Sequence, residues 1–425
     1  MRVMRQNPPP RVPDPRPLLD PLRRPRPRPG ARPVHRVPAP LAGGAAPRDT
    51  GPVRTVRATA AALTAMLAAG AASVAVGRLA GDAALKAPPG RPLPTEPRLT
   101  VHDMVAGERI TLTRDLASLR PGVYGLAGHG SHAIVGPVLN TDLHAPDTVA
   151  RRLRGLTHGT FEPGDSAWLT PNLHVGDPKS ALGLDHADID VPGELGPLPA
   201  WFLPGGRDTW LIAVHGLGAT REHSMNLMEF LHRKGVPVLA PAHRGDLGAP
   251  PRPDGISHLG ETEWRDVDAA MRYAVRYGAR RLVLLGWSTG ATMCLRAAAK
   301  SPVRDRVAGL VLDSPVLDWQ ATVRALAGAR HIPRPLLPLA VRAVEGRADL
   351  DPDPDAGSGR LAVPTLIMHG PDDTVAPWNA SRRLAARRPD LVSLRAVPGA
   401  PHAAMWNADP AEYEEHLRRF LVPLL

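Results

Sequence analysis

Between Arg281 and Ala299 the sequence RLVLLGWSTGATMCLRAAA changes character across a serine set between two glycines. The residues before Gly286 form a continuous aliphatic run, which fits a short strand covered on both faces. Those after Gly290 are alanines with Met293 and Leu295, good helix formers with no breaker before Pro302. Ser288 therefore occupies a strand-to-helix turn. On so sharp a turn the hydroxyl is pushed out above the carboxyl end of a sheet, and small residues at 286 and 290 allow close backbone approach. A chain with 40 glycines produces G-x-S-x-G by coincidence often enough that the surroundings must decide its meaning.

Those surroundings alternate. From about Leu182, ADIDVPGELGPLPAWFLPG predicts two strands around a turn, and WLIAVHG (210–216) a buried strand. EHSMNLMEFLHRKG is helix-like, VPVLAP a strand, and 261–278 a helix with Trp264, Val267, Met271, Ala274 and Val275 on one face. RLVLLGW, AGLVLD, PTLIMHG and LVSLRAVP continue the strands, and a helix from about 410 ends the chain. The alternation predicts an α/β fold, a mostly parallel sheet with helices on both faces. Before it, RLTVHDMV, ERITLTR, GVYGLAG and HAIVGPVL predict a small β-rich domain over 98–181. His129, His132, His144 and His158 are scattered there without metal-ligand spacing and read as surface or loop residues.

The net charge of +11 belongs to one end. Residues 1–57 hold thirteen arginines and three aspartates, a surplus of ten, so the rest of the chain is close to neutral. A nucleic-acid-binding body loses its main support. Residues 1–53, with fifteen prolines and little to bury, predict a disordered tail. Residues 58–77 are twenty uncharged residues between Arg57 and Arg78, long enough for a transmembrane helix, with an alanine-rich surface helix as the alternative. The arginines before this stretch would keep the N-terminus cytoplasmic and put the remainder of the chain outside as a single-pass membrane protein. Cleavage at Ala75 and Gly77 would give a secreted chain instead, and a cytoplasmic one is the remaining alternative. Residues 82–97 read as a proline-rich linker. The single cysteine, Cys294, excludes an intrachain disulfide framework and a cysteine-based metal site, and reads as a small buried helix residue.

A serine hydroxyl is a weak nucleophile at neutral pH unless a base takes its proton and a carboxylate orients the base. Three acids follow Ser288 at strand ends: the pair Asp372 and Asp373 after PTLIMHG, and Asp313 at the end of AGLVLD. A carboxylate there points into the same crevice as the serine. Of the histidines beyond them, His416 lies among charges in AEYEEHLRRF, a solvated helix face, whereas His402 lies in the loop VPGAPHAAMW after the last strand. Negative charge developing on the attacked oxygen needs two backbone donors. HGLGAT (215–220) offers the Leu217 N–H, and the residue after the serine offers the Thr289 N–H. His215 is a second candidate base, and Arg221 and His223 in TREHS are candidates either for contact with a substrate anion or for capping and surface pairing.

HGLG, HRGDLG, GWSTG, HGPDDTVAP and GAPHAAMW occur in that order, and together they resemble the serine-hydrolase branch of the α/β-hydrolase superfamily over residues 182–425. His243 departs from the pattern, which usually has an acidic or aromatic residue before Arg-Gly. The resemblance implies Asp373 as the acid that orients His402, with Asp372 the next choice and Asp313 the third, and it makes His215 a shaper of the oxyanion loop.

The expectation is thus an α/β-hydrolase fold behind a small β-rich N-terminal domain. Its function would be a serine hydrolase cleaving a carboxylic ester or related acyl compound through an acyl-enzyme intermediate. Ser288 attacks, His402 carries the proton, Asp373 holds the imidazole, and the Leu217 and Thr289 amides hold the oxyanion. This chemistry needs no metal or organic cofactor. Residues 319–360 would form a helical cap that sets specificity, and their Leu, Ala and Pro content suits an apolar small-molecule substrate. A serine peptidase of the same fold and a non-catalytic, membrane-tethered binding module are the alternatives. The oligomeric state is left open.

Overall fold

The computed structural model describes residues 73–139, 145–348 and 361–425. The tail over 1–53, residues 58–72 of the apolar stretch, His144 and the end of the expected cap lie outside the described residues.

Helix α1 covers residues 73–85. After it come β1 (Leu99–Val105), β2 (Arg109–Thr113), β3 (Tyr124–Ala127), β4 (His132–Val138), β5 (Thr148–His158) and β6 (Ser166–Thr170). These close into an antiparallel barrel in the order β1-β2-β5-β4-β3-β6. Alternate residues fill it, among them Leu99, Val101, Ile110, Leu112, Leu126, Val135 and Leu169.

Strand β5 carries TVARRLRGLTH, whose arginines hide it from a reading by hydrophobic pattern. One of them, Arg151, is fully buried. Its Nε donates to the Gly136 carbonyl (2.9 Å), and its terminal nitrogens donate to the carbonyls of Ser118 (3.0 Å), Arg120 (2.7 Å) and Gly122 (2.9 Å). No carboxylate pairs with it among the described residues. The guanidinium instead gathers the loop over 118–122 onto the barrel, because a buried carbonyl without a donor is costly.

The larger unit follows a short helix, α2 (Pro178–Leu182), capped by Asp177. Its elements are β7 (Ala187–Pro192), β8 (Pro197–Leu203), β9 (Thr209–Val214), α3 (Met225–Arg233), β10 (Val238–Pro241), α4 (Trp264–Arg276), β11 (Arg281–Trp287) and α5 (Thr289–Lys300). Then come β12 (Val307–Asp313), α6 (Trp319–Ala329), α7 (Leu337–Ala348), β13 (Thr365–His369), α8 (Trp378–Arg387), β14 (Val392–Ala396), α9 (Met405–Ala408) and α10 (Pro410–Leu421). The sheet order is β14-β13-β12-β11-β9-β10-β8-β7. From β14 to β10 all neighbours are parallel, while β8 runs antiparallel to both β10 and β7. Strands β9 and β13 are buried at every position, as unbroken apolar runs between two helical layers must be. One core lies between the sheet and α4, α5 and α8, and the other beneath α3, α9 and α10.

Among the described residues no helix is long and apolar enough to cross a membrane. Residues 73–77, the end of the expected membrane segment, belong to α1, whose inner face packs on the cap helices. A β-carbon on Gly77 would lie 2.7 Å from the Leu339 carbonyl oxygen, and one on Gly81 2.9 Å from a Val344 methyl. Ala84 and Leu85 join Trp319, Val323 and Val341 in a separate buried cluster, and Asp82 pairs with Arg347. Small residues let the helices approach, so this apolarity serves a protein contact. Helix α1 also runs into the segment expected to begin a linker at 82.

Replacing Arg151 by Met keeps the aliphatic stem and removes every donor to four carbonyls. The expected loss is at least about 3 kcal/mol of unfolding free energy, read as a lower urea midpoint at unchanged slope.

Candidate active site

Ser288 follows β11 with φ 55° and ψ −120°, a backbone state that side-chain-bearing residues rarely adopt. The neighbouring glycines make it attainable. A β-carbon at 290 would lie 2.2 Å from the Val214 carbonyl oxygen, and one at 216 would lie 2.7 Å from the Ser288 β-carbon. The turn thus brings the end of β9 against the serine.

The structure brings three of the sequence-derived residues into one hydrogen-bonded row. His402 Nε2 lies 2.7 Å from Ser288 Oγ, and His402 Nδ1 lies 2.7 Å from Asp373 Oδ2. All three side chains are buried or nearly so. Asp372 is exposed and accepts from the Gly399 amide (3.3 Å). Asp313 is fully buried but accepts from its neighbour Ser314 (2.9 Å). His416 lies 3.5 Å from Glu412 on α10.

Asp373 is surrounded by donors. Its Oδ1 accepts the Val375 and Ala376 amides, both at 2.8 Å, and its Oδ2 accepts His402 Nδ1–H and His369 Nε2–H (3.1 Å). Ser381 Oγ lies 2.8 Å from His369 Nδ1, so a hydroxyl donating there fixes the tautomer in which Nε2 carries the proton. Burial alone would raise the Asp373 pKa, but His402 and the bonds from both histidines outweigh it and hold the carboxyl well below the ordinary range. For His402 burial acts downward, and the Asp373 charge and hydrogen bond overcome it, so the imidazole stands above its ordinary value. His369 escaped the sequence reading because it looked like part of a motif. Its only signal was a histidine closing a strand four residues before an acid.

Burial pushes Asp313 up to about 7, opposed by Ser314 and by His402. Ser314 in turn accepts the Ala403 amide at 2.9 Å, fixing the residue beside His402.

Leu217 lies in the loop after β9 and lines the same cavity as Ser288, and Thr289 opens α5. Neither amide enters a backbone hydrogen bond among the described loops and turns. His215 faces away from the serine row, with Nε2 2.9 Å from Asp246 Oδ2 and Nδ1 3.2 Å from the Gly216 carbonyl. Its ring packs on His243 at 4.2 Å, and Asp246 also accepts the His243 amide (2.7 Å). His215, His243 and Asp246 bring metal-ligand-type atoms within 4.8 Å of one another. Their shared carboxylate oxygen already accepts the His243 amide and lies against His215 Nε2, and the trio stands behind the loop. Arg244, beside it, is held by Asp266 at 2.8 and 2.7 Å and by Glu194 at 3.0 Å. Arg221 lies over Trp201 (4.4 Å). His223 stacks on Trp287 (4.4 Å), and burial, with the charges of His215 and His402, lowers its pKa to about 3, so it stays neutral.

A cavity of about 370 Å³ has Ser288 and His402 in its wall. The rest comes from an unexpected quarter. The segment after α1 contributes Leu93 and Glu96, and the barrel contributes Ala127, His132 and Trp168. His129, His132 and His158, read as surface or loop residues, all line it. Among the described residues of α6 and α7 none does, although the cap was expected to set specificity. Those helices pack on α1 and on Leu217, Val375 and Ala376 instead.

A family model described as alpha/beta hydrolase fold matches residues 209–331. Another, described as a domain of unknown function (DUF8805), matches residues 100–170, the span of the barrel. No curated protein matches the chain. Among solved structures, an esterase of Pyrococcus furiosus is similar at 23% identity and a TM-score of 0.49, over 58% of this chain and 94% of that one. A serine hydrolase of Xanthomonas campestris described as lacking a lid matches at 18% identity and 0.40, over 57% and 95%. Est1E of Butyrivibrio proteoclasticus, solved with ferulic acid bound, matches at 18% and 0.44, over 55% and 98%. The family match falls on the strands and helices from β9 to α6, and the larger unit has the α/β-hydrolase fold.

Proposed function

We propose that the protein is a serine esterase, hydrolysing a carboxylic ester through an acyl-enzyme. The observation that carries this reading is the unbroken row from Ser288 Oγ through His402 to Asp373, both links 2.7 Å long. Ser288 Oγ attacks the ester carbonyl carbon while its proton passes to His402 Nε2. The carbonyl oxygen becomes an oxyanion, and the Leu217 and Thr289 amides are its donors. Collapse breaks the bond to the alcohol oxygen, which leaves with the proton from Nε2, and the acyl group stays on Ser288. Water, deprotonated by His402, then repeats the attack and releases the acid. Asp373 remains ionised throughout and stabilises the imidazolium; His369 positions Asp373. The esterase named among the similar structures supports the ester as the bond cleaved, within a fold that serves several acyl transfers.

A fluorophosphonate probe should label Ser288, identified by mass spectrometry of the tryptic peptide. Labelling that persists in Ser288→Ala would refute the assignment. Ser288→Ala and His402→Ala should each lower kcat by roughly 10⁴-fold on p-nitrophenyl acetate. Asp373→Asn should cost roughly 10³-fold or more, and Asp372→Asn less than about threefold.

The pH profile follows from the same geometry. His402 accepts a proton only when neutral, and Asp373 holds its pKa up. Activity as kcat/KM should therefore fall as pH drops through an inflection above about 6.5, the ordinary imidazole value. In Asp373→Asn the residual activity should show that inflection at lower pH. An unmoved inflection would assign it to another group.

A further inference from the structure

The barrel is joined to the catalytic unit through the loop that bears His402. Asn407, fully buried on α9, donates through Nδ2 to the carbonyls of Val123 (3.0 Å) and Pro171 (2.9 Å), and its own carbonyl accepts the Val123 amide (2.8 Å). Asn226 on α3 donates to the same Pro171 carbonyl (2.8 Å) and accepts the Leu173 amide (3.3 Å). Ala404, two residues past His402, sits inside the barrel's apolar core.

The segment over 88–96 is fastened at both ends. The Gly90 amide donates to the Gly218 carbonyl (2.9 Å), beside Leu217, and Glu96 pairs with Arg120 of the barrel (2.8 Å). It forms a strap across the cavity rather than a loose linker.

We propose that the barrel and this strap are the substrate-selecting part of the protein, and that they select a compact, uncharged ester. This rests on the esterase reading of Ser288. A cavity of about 370 Å³ is at the small end for a ligand site. Its charged lining consists of two carboxylates, Glu96 and Glu222, against one guanidinium, Arg91, which is exposed at the rim. Burial lowers the pKa of His132 to about 4, and its ring nitrogens are taken up by Thr157 Oγ1 (3.1 Å) and the Asn172 carbonyl (3.2 Å), so that ring is an uncharged wall. A substrate carboxylate would find no cation free to receive it inside the cavity, since Arg120 is engaged by Glu96 and Arg91 is exposed at the rim, whereas a neutral group needs none.

The test is a series of p-nitrophenyl esters from acetate to dodecanoate, with a carboxylate-ended half-ester matched in length to a neutral one. Val175→Trp, in the cavity-lining segment that leaves the barrel after β6, and Leu93→Trp, in the strap, fill the wall without replacing a member of the serine row. Each should lower kcat/KM for octanoate relative to acetate by roughly tenfold or more, with fluorophosphonate labelling of Ser288 retained. Arg324→Ala, on the exposed side of α6, should leave the ratio alone. The neutral ester should be preferred over the half-ester by about tenfold, and Glu96→Gln should narrow that gap. An unchanged length profile in both tryptophan variants, or an equal shift in Arg324→Ala, overturns the proposal. Calorimetric titration of Ser288→Ala with the same esters reads the pocket without turnover. Binding there that weakens in the Val175→Trp background supports the subsite even if the wild type fails to hydrolyse, an outcome that would overturn only the esterase reading. Binding indifferent to Val175→Trp counts against the subsite whatever the turnover.

Discussion

The constraint on which the site depends is the backbone of one residue. A serine at φ 55° and ψ −120° is strained by about 1 to 3 kcal/mol, and it persists only where its surroundings over-determine it. Here they do. Strand β11 is paired on both edges, by β9 and β12, so the approach to the turn cannot shift. The Ser288 amide donates to the Asp313 carbonyl (2.9 Å), which carries the β11 to β12 ladder one residue past the strand. Beyond the turn, α5 packs so closely on the end of β9 that only glycine fits at 290. The hydroxyl is therefore fixed by the sheet and not by its own side-chain freedom. The loops after β9, β12 and β13 and the segment after β14 are then left to bring partners to a stationary atom.

Those partners are buried charges, and each is either saturated with donors or pushed out of its ordinary ionisation. Asp373 receives two backbone amides and two imidazoles. Asp266 takes the amide, Nε and a terminal nitrogen of Arg244. Asp246 is opposed by burial, yet His243 and His215 hold it well below the usual carboxylate range. Asp313 has the Ser314 hydroxyl and the Tyr413 side chain but no backbone amide or imidazole on its carboxylate among the described residues, and burial raises its pKa to about 7. The contrast follows from desolvation. A carboxylate removed from water stays charged only where protein donors replace the solvent. It also separates the strand-end acids physically, since only Asp373 both faces His402 and has the donors to remain ionised.

Much of this was legible in the sequence for a physical reason. Buried parallel strands must be continuously apolar, so WLIAVHG, RLVLLGW and PTLIMHG announce themselves, and candidate site residues at their carboxyl ends follow by position. Ser288, Asp373 and His402 come from three separate ends of that pattern, and the structure puts them within hydrogen-bond reach of one another. What escaped was whatever broke a local rule for a tertiary reason. Strand β5 was hidden because Arg151 is satisfied by carbonyls from elsewhere in the barrel, not by a neighbour in sequence. The wall histidines were scattered in sequence because β4, β5 and the turn after β3 converge only when the barrel closes. Asn407 carried no signal in the sequence, for nothing local tells a capping asparagine from one that holds two carbonyls of another domain. The proline-rich segment over 82–97 looked like a spacer because its hydrogen bonds go to Gly218 and Arg120, far away in the chain.

The position of Asn407 also says how the two units depend on each other. The segment from His402 to Ala408 has flanks in different cores: Met405 packs under the large sheet, and Ala404 packs inside the barrel. A residue placed between two packed interiors has little freedom to move. His402 thus takes its orientation from Asp373 and its backbone position from both domains. A barrel held in this way forms part of the floor beneath His402, and a change inside it reaches His402 through Ala404 and Asn407. The outer faces of β3, β4 and β6 are different. Their side chains at the cavity can vary while the inward-facing residues keep the barrel closed, because alternate positions on a strand answer to different surroundings. The architecture therefore separates two demands on one small domain: its interior steadies the histidine, and its rim is free to vary where it lines the cavity.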